Sequence, residues 1–427
     1  METTADKRKK ILVVGGGFAG LNLIEQLYNS KYYQVTLIDK NNYNYFTPLL
    51  YQVATSFLEP SSISYPFRKL LRKKGVSFRM SEVVAVDTEN QKVLLNDGEL
   101  AYDELVFAAG TKTNFFGNES IRKNALSLKG IDDALFMRNQ LMKTMERAVI
   151  ETDPIKRKKL LTIVIAGGGP TGVEVAGMLA EMKKYIVGKD YPELKDLDHD
   201  IYVVDGLPVL LAPMSEKTHK ETLKILTDLG VKIKLNTMVL SYENDKVNLS
   251  DGTVIESSTL LWAAGVTAHT FKGIPETSLG AGKRMITDAF NKVKGLENVW
   301  AIGDISIQET DPVYPKGHPQ LAQPSIQQGK TLGKNFIKLA KGKDMKPFKY
   351  FDRGDMAIIG RNHAVADLLK HKVHLKGFLG LMAWLFIHLV SLVNYNNKIK
   401  TFYSWIIAYL TRDQALRMIF RTGNRGN

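Results

Sequence analysis

Residues 160–174 read LLTIVIAGGGPTGVE, and a similar stretch, ILVVGGGFAGLN, occupies residues 11–22. In each stretch an apolar run rich in β-branched residues ends in three glycines, and a segment of helical character follows. The spacing Gly-x-Gly-x-x-Gly between a strand and a helix is typical of dinucleotide-binding βαβ units. The first glycine permits a tight turn, the second lets a pyrophosphate approach the backbone, and the third lets the helix pack near the strand. The two stretches therefore predict two nucleotide-binding modules.

These modules form an internal repeat. The second strand of the first module, QVTLID, ends in Asp39, and its counterpart IYVVD ends in Asp205. Each module later reaches an apolar strand that ends in small residues, ELVFAAGT at 104–111 and TLLWAAGV at 259–266. An acid at the end of the second strand binds a ribose hydroxyl and repels a 2′-phosphate, so Asp205 favours NADH over NADPH. Two modules suggest two dinucleotides, a flavin that stays bound and a nicotinamide that exchanges.

Composition excludes several kinds of chemistry. The 427 residues include no cysteine, which rules out disulfides, thiolate metal sites and catalysis through a thiol or dithiol. No metal site is expected, and the length allows two or three domains.

The C-terminal part of the chain is basic and apolar. The net charge is +14, and residues 341–427 hold 15 Lys/Arg and 5 Asp/Glu. Residues 377–393, GFLGLMAWLFIHLVSLV, carry no formal charge if His388 is neutral, and a second apolar stretch, residues 401–410, has Lys398, Lys400 and Arg412 beside it. Short apolar helices with basic and aromatic flanks favour an anchor lying on an anionic membrane surface rather than a nucleic-acid site. A hydrophobic core, a dimer interface and a membrane span remain alternatives.

A series of motifs, in order along nearly the whole chain, resembles type II NADH dehydrogenases, which are single-chain NADH:quinone oxidoreductases without proton pumping. The motifs are GGGFAGL, FTPLLYQVAT (46–55), VFAAGT, GGGPTGVEVAG (167–177), LWAAGV, WAIGD and AQPSIQQG (322–329). The resemblance implies a membrane-associated enzyme of a respiratory chain that oxidises NADH and reduces a membrane quinone to quinol through non-covalent FAD.

The resemblance leaves two alternatives. Relatives that depend on redox cysteines are excluded, because the chain has none. A soluble FAD-dependent NADH reductase of a ferredoxin-like carrier needs no cysteine and stays open. A flavoprotein that only senses NADH is the second alternative.

The resemblance also assigns cofactor residues. FAD is expected at Gly15, Gly17, Phe18, Ala19, Gly20, Asp39, Lys40, Gln52, Gly110, Thr111, Gly303, Asp304, Ala322 and Gln323. NADH is expected at Gly167, Gly169, Pro170, Thr171, Gly172, Glu174, Asp205, Ala264 and Gly265. Pro48, Tyr51 and Gln52 belong to a segment that the family places near flavin and quinone.

Three residues are candidates for catalysis. Glu174 follows the last glycine of the second fingerprint by two residues, in what is expected to be the first turn of a helix. The helix dipole alone favours a carboxylate there, whereas the family resemblance implies a role in supplying protons to quinone. Gln323 and Gln327 stand four residues apart, so they share a helix face, and their amides can donate to a quinone carbonyl.

The expected fold is α/β, with two Rossmann-like domains and a C-terminal helical membrane-binding region. The predicted divisions are 7–115 and 291–344 for FAD, 116–290 for NADH, and 345–427 for the membrane anchor. We expect a peripheral, monotopic protein on the cytoplasmic face of a bacterial inner membrane. A homodimer is plausible by resemblance.

Overall fold

The structure is a computed structural model that describes residues 7–369, 371–411 and 416–419. Two compact units form within it. Unit 1 comprises Met1–Tyr45, Tyr65–Lys112 and Val266–Asp352, and unit 2 comprises Phe46–Ser64, Thr113–Gly265 and Arg353–Asn427. Arg412, one of the basic flanks expected beside the second apolar stretch, lies outside the described residues.

The α-helices are α1 (Phe18–Gln26), α2 (Leu50–Ala54), α3 (Pro60–Ile63), α4 (Phe67–Leu71), α5 (Glu119–Asn124), α6 (Ile131–Ile150), α7 (Pro154–Leu160), α8 (Pro170–Met182), α9 (Gly188–Asp190), α10 (Glu216–Asp228), α11 (Ala322–Ala340), α12 (Gly377–Ser391) and α13 (Tyr395–Thr411). The strands of the first half are β1 (Lys9–Val14), β2 (Tyr33–Asp39), β3 (Tyr43–Tyr45), β4 (Ser64–Pro66), β5 (Val76–Met80), β6 (Val83–Asp87), β7 (Lys92–Leu95), β8 (Gly98–Ala101), β9 (Glu104–Phe107), β10 (Thr111–Thr113), β11 (Leu126–Ser127), β12 (Ile163–Ala166) and β13 (Ile201–Val204). Those of the second half are β14 (Val231–Lys234), β15 (Val239–Glu243), β16 (Lys246–Leu249), β17 (Val254–Glu256), β18 (Thr259–Trp262), β19 (Val266–Ala268), β20 (Met285–Thr287), β21 (Val299–Ala301), β22 (Ser306–Gln308), β23 (Gly354–Ile358), β24 (Ala364–Leu368) and β25 (Val373–Lys376).

Unit 1 is built on a five-stranded parallel sheet in the order β21-β9-β1-β2-β5. The apolar residues of β1 and β9 are buried, as expected for strands that helices cover on both faces. Helix α1 packs closely against α11, because Gly329 lacks a Cβ that would otherwise meet the Ala19 carbonyl oxygen. This packing fixes the start of α1, where the first fingerprint lies.

Unit 2 repeats the arrangement in the order β11-β18-β12-β13-β14, again all parallel. The order of the shared strands is the same, with β12, β13 and β18 in the places of β1, β2 and β9. Each unit also carries a three-stranded antiparallel sheet, β6-β7-β8 in unit 1 and β15-β16-β17 in unit 2. The repeat and the α/β fold predicted from the sequence are confirmed.

The C-terminal part of unit 2 adds the antiparallel sheet β23-β24-β25, followed by α12 and α13. Strand β23 packs on α8, where Gly177 lacks a Cβ that would clash with the Gly360 backbone nitrogen. The chain after residue 353 therefore covers the helix that carries Glu174.

Among the described residues, the structure contains no helix with both the length and the apolar character needed to cross a bilayer. The four domain divisions predicted from the sequence stay a proposal.

Candidate active site

The first fingerprint joins β1 to α1. Gly15 has a φ of +105°, a conformation that side chains other than glycine's rarely adopt. A Cβ on Gly20 would clash with the Gly15 carbonyl oxygen, whereas a Cβ on Gly17 would meet nothing within 4 Å. The second glycine is thus open to a ligand while the first and third pack against the protein, as a pyrophosphate site requires.

The second fingerprint, between β12 and α8, has the same geometry. Gly167 has a φ of +113°, a Cβ on Gly172 would clash with the Gly167 carbonyl oxygen, and Gly169 is open. Both loops therefore match the physical requirements predicted for the three glycines.

The two acids that follow the second strands are held alike. Asp39 accepts hydrogen bonds from Gly16 N at 2.7 Å and Asn41 N at 2.8 Å. Asp205 accepts from Gly168 N and, at 2.7 Å, from Leu207 N. Each carboxylate lies beside its glycine loop, where a ribose would follow the pyrophosphate.

The residues present in unit 1 fit FAD. The open cradle at Gly17 lies in the same unit as WAIGD, where Gly303 has a φ of +77° and its N–H donates to Gln328 Oε1 at 2.6 Å. The Asp304 carboxylate accepts from Ser325 Oγ at 3.2 Å, and Gly110 has a φ of +66° with open space beside it.

Most of the other residues predicted to contact a nucleotide lie in the same unit as the fingerprint to which they were assigned, whereas Gln52, predicted for FAD, lies on α2 in unit 2. In unit 1 the structure places Phe18 and Ala19 in α1, Lys40 after β2, Thr111 in β10, and Ala322 and Gln323 at the start of α11. In unit 2 it places Pro170 and Thr171 in α8, and Ala264 and Gly265 after β18. Their nucleotide contacts stay predictions.

Glu174 lies deeper than the sequence indicated. It is the fifth residue of α8, so the expected position in the first turn is wrong: the helix begins at Pro170 and has no acidic residue in its first turn. Only 8% of Glu174 is exposed. Burial raises the pKa of its carboxyl group well above the usual value, and the Ile358 N–H, which donates to it, offsets this only in part. A helix dipole alone would lower the pKa of a carboxyl group near the N-terminus, so the dipole interpretation does not explain a pKa that is raised.

A chain of buried polar groups lies in the same unit. The Trp405 indole N–H donates to Gln52 Oε1 at 2.8 Å, and Gln52 Nε2 donates to the Tyr51 hydroxyl at 2.9 Å. Burial, and then the charge of Glu174, raise the pKa of Tyr51. Tyr51 and Glu174 lie on α2 and α8, which pack against each other.

Aromatic rings of α12 adjoin this group. Trp384 stacks on His388 with ring centroids 3.9 Å apart. The indole N–H of Trp384 lies near the Glu174 carboxyl group and lowers its pKa, but it does not reach hydrogen-bond geometry. Burial lowers the pKa of His388 to about 4, so the ring is neutral at pH 7. His388 Nδ1 donates to the Trp384 carbonyl at 2.8 Å, which leaves Nε2 as the basic nitrogen.

Gln323 and Gln327 lie in unit 1, on α11, whereas Glu174 lies in unit 2. The Gln327 side chain makes two hydrogen bonds to the Phe351 backbone. Gln327 Nε2 donates to the Phe351 carbonyl oxygen at 2.8 Å, and the Phe351 N–H donates to Gln327 Oε1 at 3.0 Å. This leaves one Gln327 N–H for other acceptors. The quinone contacts expected of both glutamines stay predictions.

Sequence reasoning missed three participants: Trp384 and Trp405, which are buried among the C-terminal apolar residues, and Gln328, one residue beyond the predicted Gln327. For the two tryptophans the available signal was their combination of a large aromatic body and an N–H group within apolar stretches. Gln328 had no distinguishing signal beside Gln327.

Known proteins resemble this chain in sequence and in fold. The model of the pyridine nucleotide-disulphide oxidoreductase family matches residues 9–329. A type II NADH:quinone oxidoreductase of Mycobacterium tuberculosis is 34% identical over 424 residues, covering 95% of this chain and 88% of that protein. One from Staphylococcus aureus is 30% identical over 385 residues, covering 84% and 90%.

A solved structure of NDH2 from Plasmodium falciparum in complex with NADH covers 97% of this chain and 100% of its own, with a TM-score of 0.88 and 22% identity, which shows the fold. The sequence relatives support a quinone reductase and give no support to a reductase of a ferredoxin-like carrier. The chain belongs to the type II NADH:quinone oxidoreductases of the pyridine nucleotide-disulphide oxidoreductase family, flavoenzymes that use FAD to oxidise NADH and reduce quinone.

Proposed function

We propose that this enzyme lies on an anionic membrane surface through α12 and α13, binds NADH at the second fingerprint, and supplies a proton to quinone through Glu174. The overall reaction is NADH + H⁺ + quinone → NAD⁺ + quinol. FAD, which the first fingerprint and Asp39 would hold, would supply the redox chemistry, namely hydride acceptance and two-electron transfer. What the protein contributes is binding, orientation and the proton. The burial of Glu174, which raises the pKa of its carboxyl group, is the observation that carries the proposal.

Glu174 has the properties of a proton donor. Its carboxyl group is almost fully buried, and this burial raises its pKa. The helix that carries it, α8, packs against α2, which carries the buried Tyr51. A general acid works best when its pKa is close to the operating pH, which is the direction in which burial moves a carboxyl group. Its position in the second module places it beside the loop that we assign to NADH.

Glu174→Gln tests this role. We expect reduction of the flavin by NADH to stay within about twofold of wild type. Reoxidation of the flavin by a short-chain quinone should slow about 100-fold or more, because a general acid typically contributes about 10²- to 10⁴-fold. Stopped-flow absorbance separates the two half-reactions. The wild-type quinone step should slow as pH rises through the raised pKa of Glu174, and the variant should lack this dependence.

Glu181→Gln is the matched control, since Glu181 lies on the same helix, α8. It should leave both half-reactions unchanged. Equal rates of flavin reoxidation in wild type and Glu174→Gln at every pH would contradict the proton role.

The same proposal assigns the nicotinamide specificity to Asp205. Asp205→Asn is expected to raise KM for NADH about tenfold or more, since a charge-assisted hydrogen bond to ribose contributes about 1.5–3 kcal/mol. The preference for NADH over NADPH should narrow, because the repulsion of the 2′-phosphate is lost. Steady-state kinetics with both nucleotides measure this. Asp251→Asn removes an exposed carboxylate paired with Lys234 in the same unit. It should change neither the KM for NADH nor the preference for NADH over NADPH.

Membrane attachment is supported by the surfaces of α12 and α13. Large side chains that a soluble protein would bury are exposed there: Phe378, Leu379, Phe386, Phe402, Tyr403 and Leu410. Phe386 is 68% exposed and Leu410 76%. Such patches mark interaction sites, and the nearby lysines favour anionic lipid. We place the enzyme on the cytoplasmic face of a bacterial inner membrane, where NADH is available, and keep a homodimer through the C-terminal region as part of the proposal.

A further inference from the structure

Helix α13 carries a row of buried hydrogen-bond donors. Asn397 Nδ2 and Thr401 Oγ1 donate to main-chain carbonyls of residues 62–64, at 2.9 Å and 3.1 Å. Trp405 Nε1 donates to the Gln52 side chain at 2.8 Å. The three donors are spaced four residues apart, so they lie on one face of the helix.

The three bonds differ in kind. A main-chain carbonyl has a fixed orientation, so the bonds of Asn397 and Thr401 fasten the helix to its neighbour. The Gln52 amide, in contrast, can rotate by half a turn and exchange its oxygen for its NH₂ group. Only the bond from Trp405 therefore selects between two chemically different arrangements.

An indole N–H can donate but cannot accept. Trp405 thus requires the Gln52 oxygen on its side, and this places the Gln52 NH₂ group opposite the Tyr51 hydroxyl, at 2.9 Å. The Tyr51 oxygen accepts from that group. Its own proton is then directed away from Gln52. Tyr51 lies on α2, which packs against α8, the helix that carries Glu174.

Without the Trp405 N–H, the amide could turn its oxygen toward Tyr51. The tyrosine proton would then be donated to Gln52 and would no longer be available to another acceptor. Because Gln52 is 2% exposed and Tyr51 also 2% exposed, water cannot easily substitute for either partner.

We propose that Trp405 is a positioning residue for quinone: it fixes the Gln52 amide so that the Tyr51 hydroxyl donates a hydrogen bond to a quinone carbonyl oxygen. This inference rests on the proposed function, since it places the quinone beside Glu174. It involves hydrogen-bond donation by Tyr51 and no transfer of the tyrosine proton.

Trp405→Phe removes the N–H and keeps an aromatic ring. The expected result is a rise of about three- to tenfold in the quinone KM, the effect of one neutral hydrogen bond, with flavin reduction by NADH unchanged. Calorimetric titration of the oxidised holoenzyme with a water-soluble quinone should show the same loss of affinity. Vesicle binding should be unchanged, because the exposed face of α13 is intact.

Thr401→Val is the matched control. It removes a buried bond from the same helix to the Ser62 carbonyl oxygen but leaves the Gln52 amide in place. If the two variants raise the quinone KM equally, Trp405 only fastens the helix and the proposal is overturned. An unchanged quinone KM in Trp405→Phe overturns it as well.

A double-mutant cycle with Gln52→Leu gives an independent check. If Trp405 acts through the Gln52 amide, adding Trp405→Phe to Gln52→Leu should raise the quinone KM no further. Additive effects would show that the two residues act separately.

Failure of this inference differs from failure of the proposed function. If Trp405→Phe leaves the quinone KM unchanged while Glu174→Gln slows flavin reoxidation, only the proposed role of Trp405 is contradicted. If neither variant alters quinone affinity or flavin reoxidation, quinone does not bind at this group of side chains, and both proposals fall.

Discussion

Gly172→Val is expected to abolish NADH oxidation while the protein keeps its FAD. Any side chain at this position meets the Gly167 carbonyl oxygen, so α8 must move away from β12. The main-chain N–H groups at the start of the helix then leave the pyrophosphate site. We expect NADH-dependent flavin reduction to fall more than about 100-fold, because overpacking of 1–3 kcal/mol adds to the lost phosphate contacts. Flavin absorbance and stopped-flow reduction by NADH measure the two sites separately.

The repeat supplies the matched variant. A side chain at Gly20 would meet the Gly15 carbonyl oxygen in the same way, so Gly20→Val is expected to lose FAD during purification. If Gly172→Val lost FAD and Gly20→Val retained it, the assignment of the two modules would have to be exchanged. Thermal unfolding of both variants shows whether either change disrupts the fold as a whole.

The double variant Phe386→Glu/Leu410→Glu is expected to detach the protein from anionic vesicles. Burying each of these side chains in lipid contributes about 1.5–3 kcal/mol, and glutamate in addition is repelled by anionic headgroups. The partition coefficient should therefore fall at least about 100-fold. Sedimentation with vesicles gives the bound fraction, and turnover with a water-soluble quinone should persist.

A matched pair of exposed apolar side chains tests whether the position matters. Ile150 and Ile155, 79% and 70% exposed, lie outside the two C-terminal helices. Their double substitution by glutamate should leave vesicle binding unchanged. Equal detachment by both double variants would mean that general charge, and not the surface of α12 and α13, determines the attachment.

The glycine loops, their acids and the repeat could be predicted from the sequence because each depends on residues close together in the chain. The turn at Gly15 and the close approach of Gly20 are requirements of one local segment. Asp39 and Asp205 stand at the ends of strands that the apolar pattern marks clearly. Local constraints of this kind leave a local signal.

The depth of Glu174 could not be predicted in this way. Its burial depends on β23 and α12, which come about 180 and 200 residues later in the chain and cover α8. Trp405 and Gln52, separated by 353 positions, likewise leave no spacing to recognise. Each tryptophan in the apolar C-terminal stretches was equally consistent with lipid contact, and only tertiary packing distinguishes a buried donor from an exposed ring.

The paired main-chain bonds to Asp39 and Asp205 have a consequence for the thermodynamics of nucleotide binding. Each carboxylate is already held by two backbone N–H groups, one from its glycine loop and one from the residue two positions later. An immobilised side chain has little rotamer entropy left to lose when a ribose arrives. Folding itself therefore supplies the order that a flexible acid would have to acquire on binding, and both nucleotides meet a preorganised acceptor.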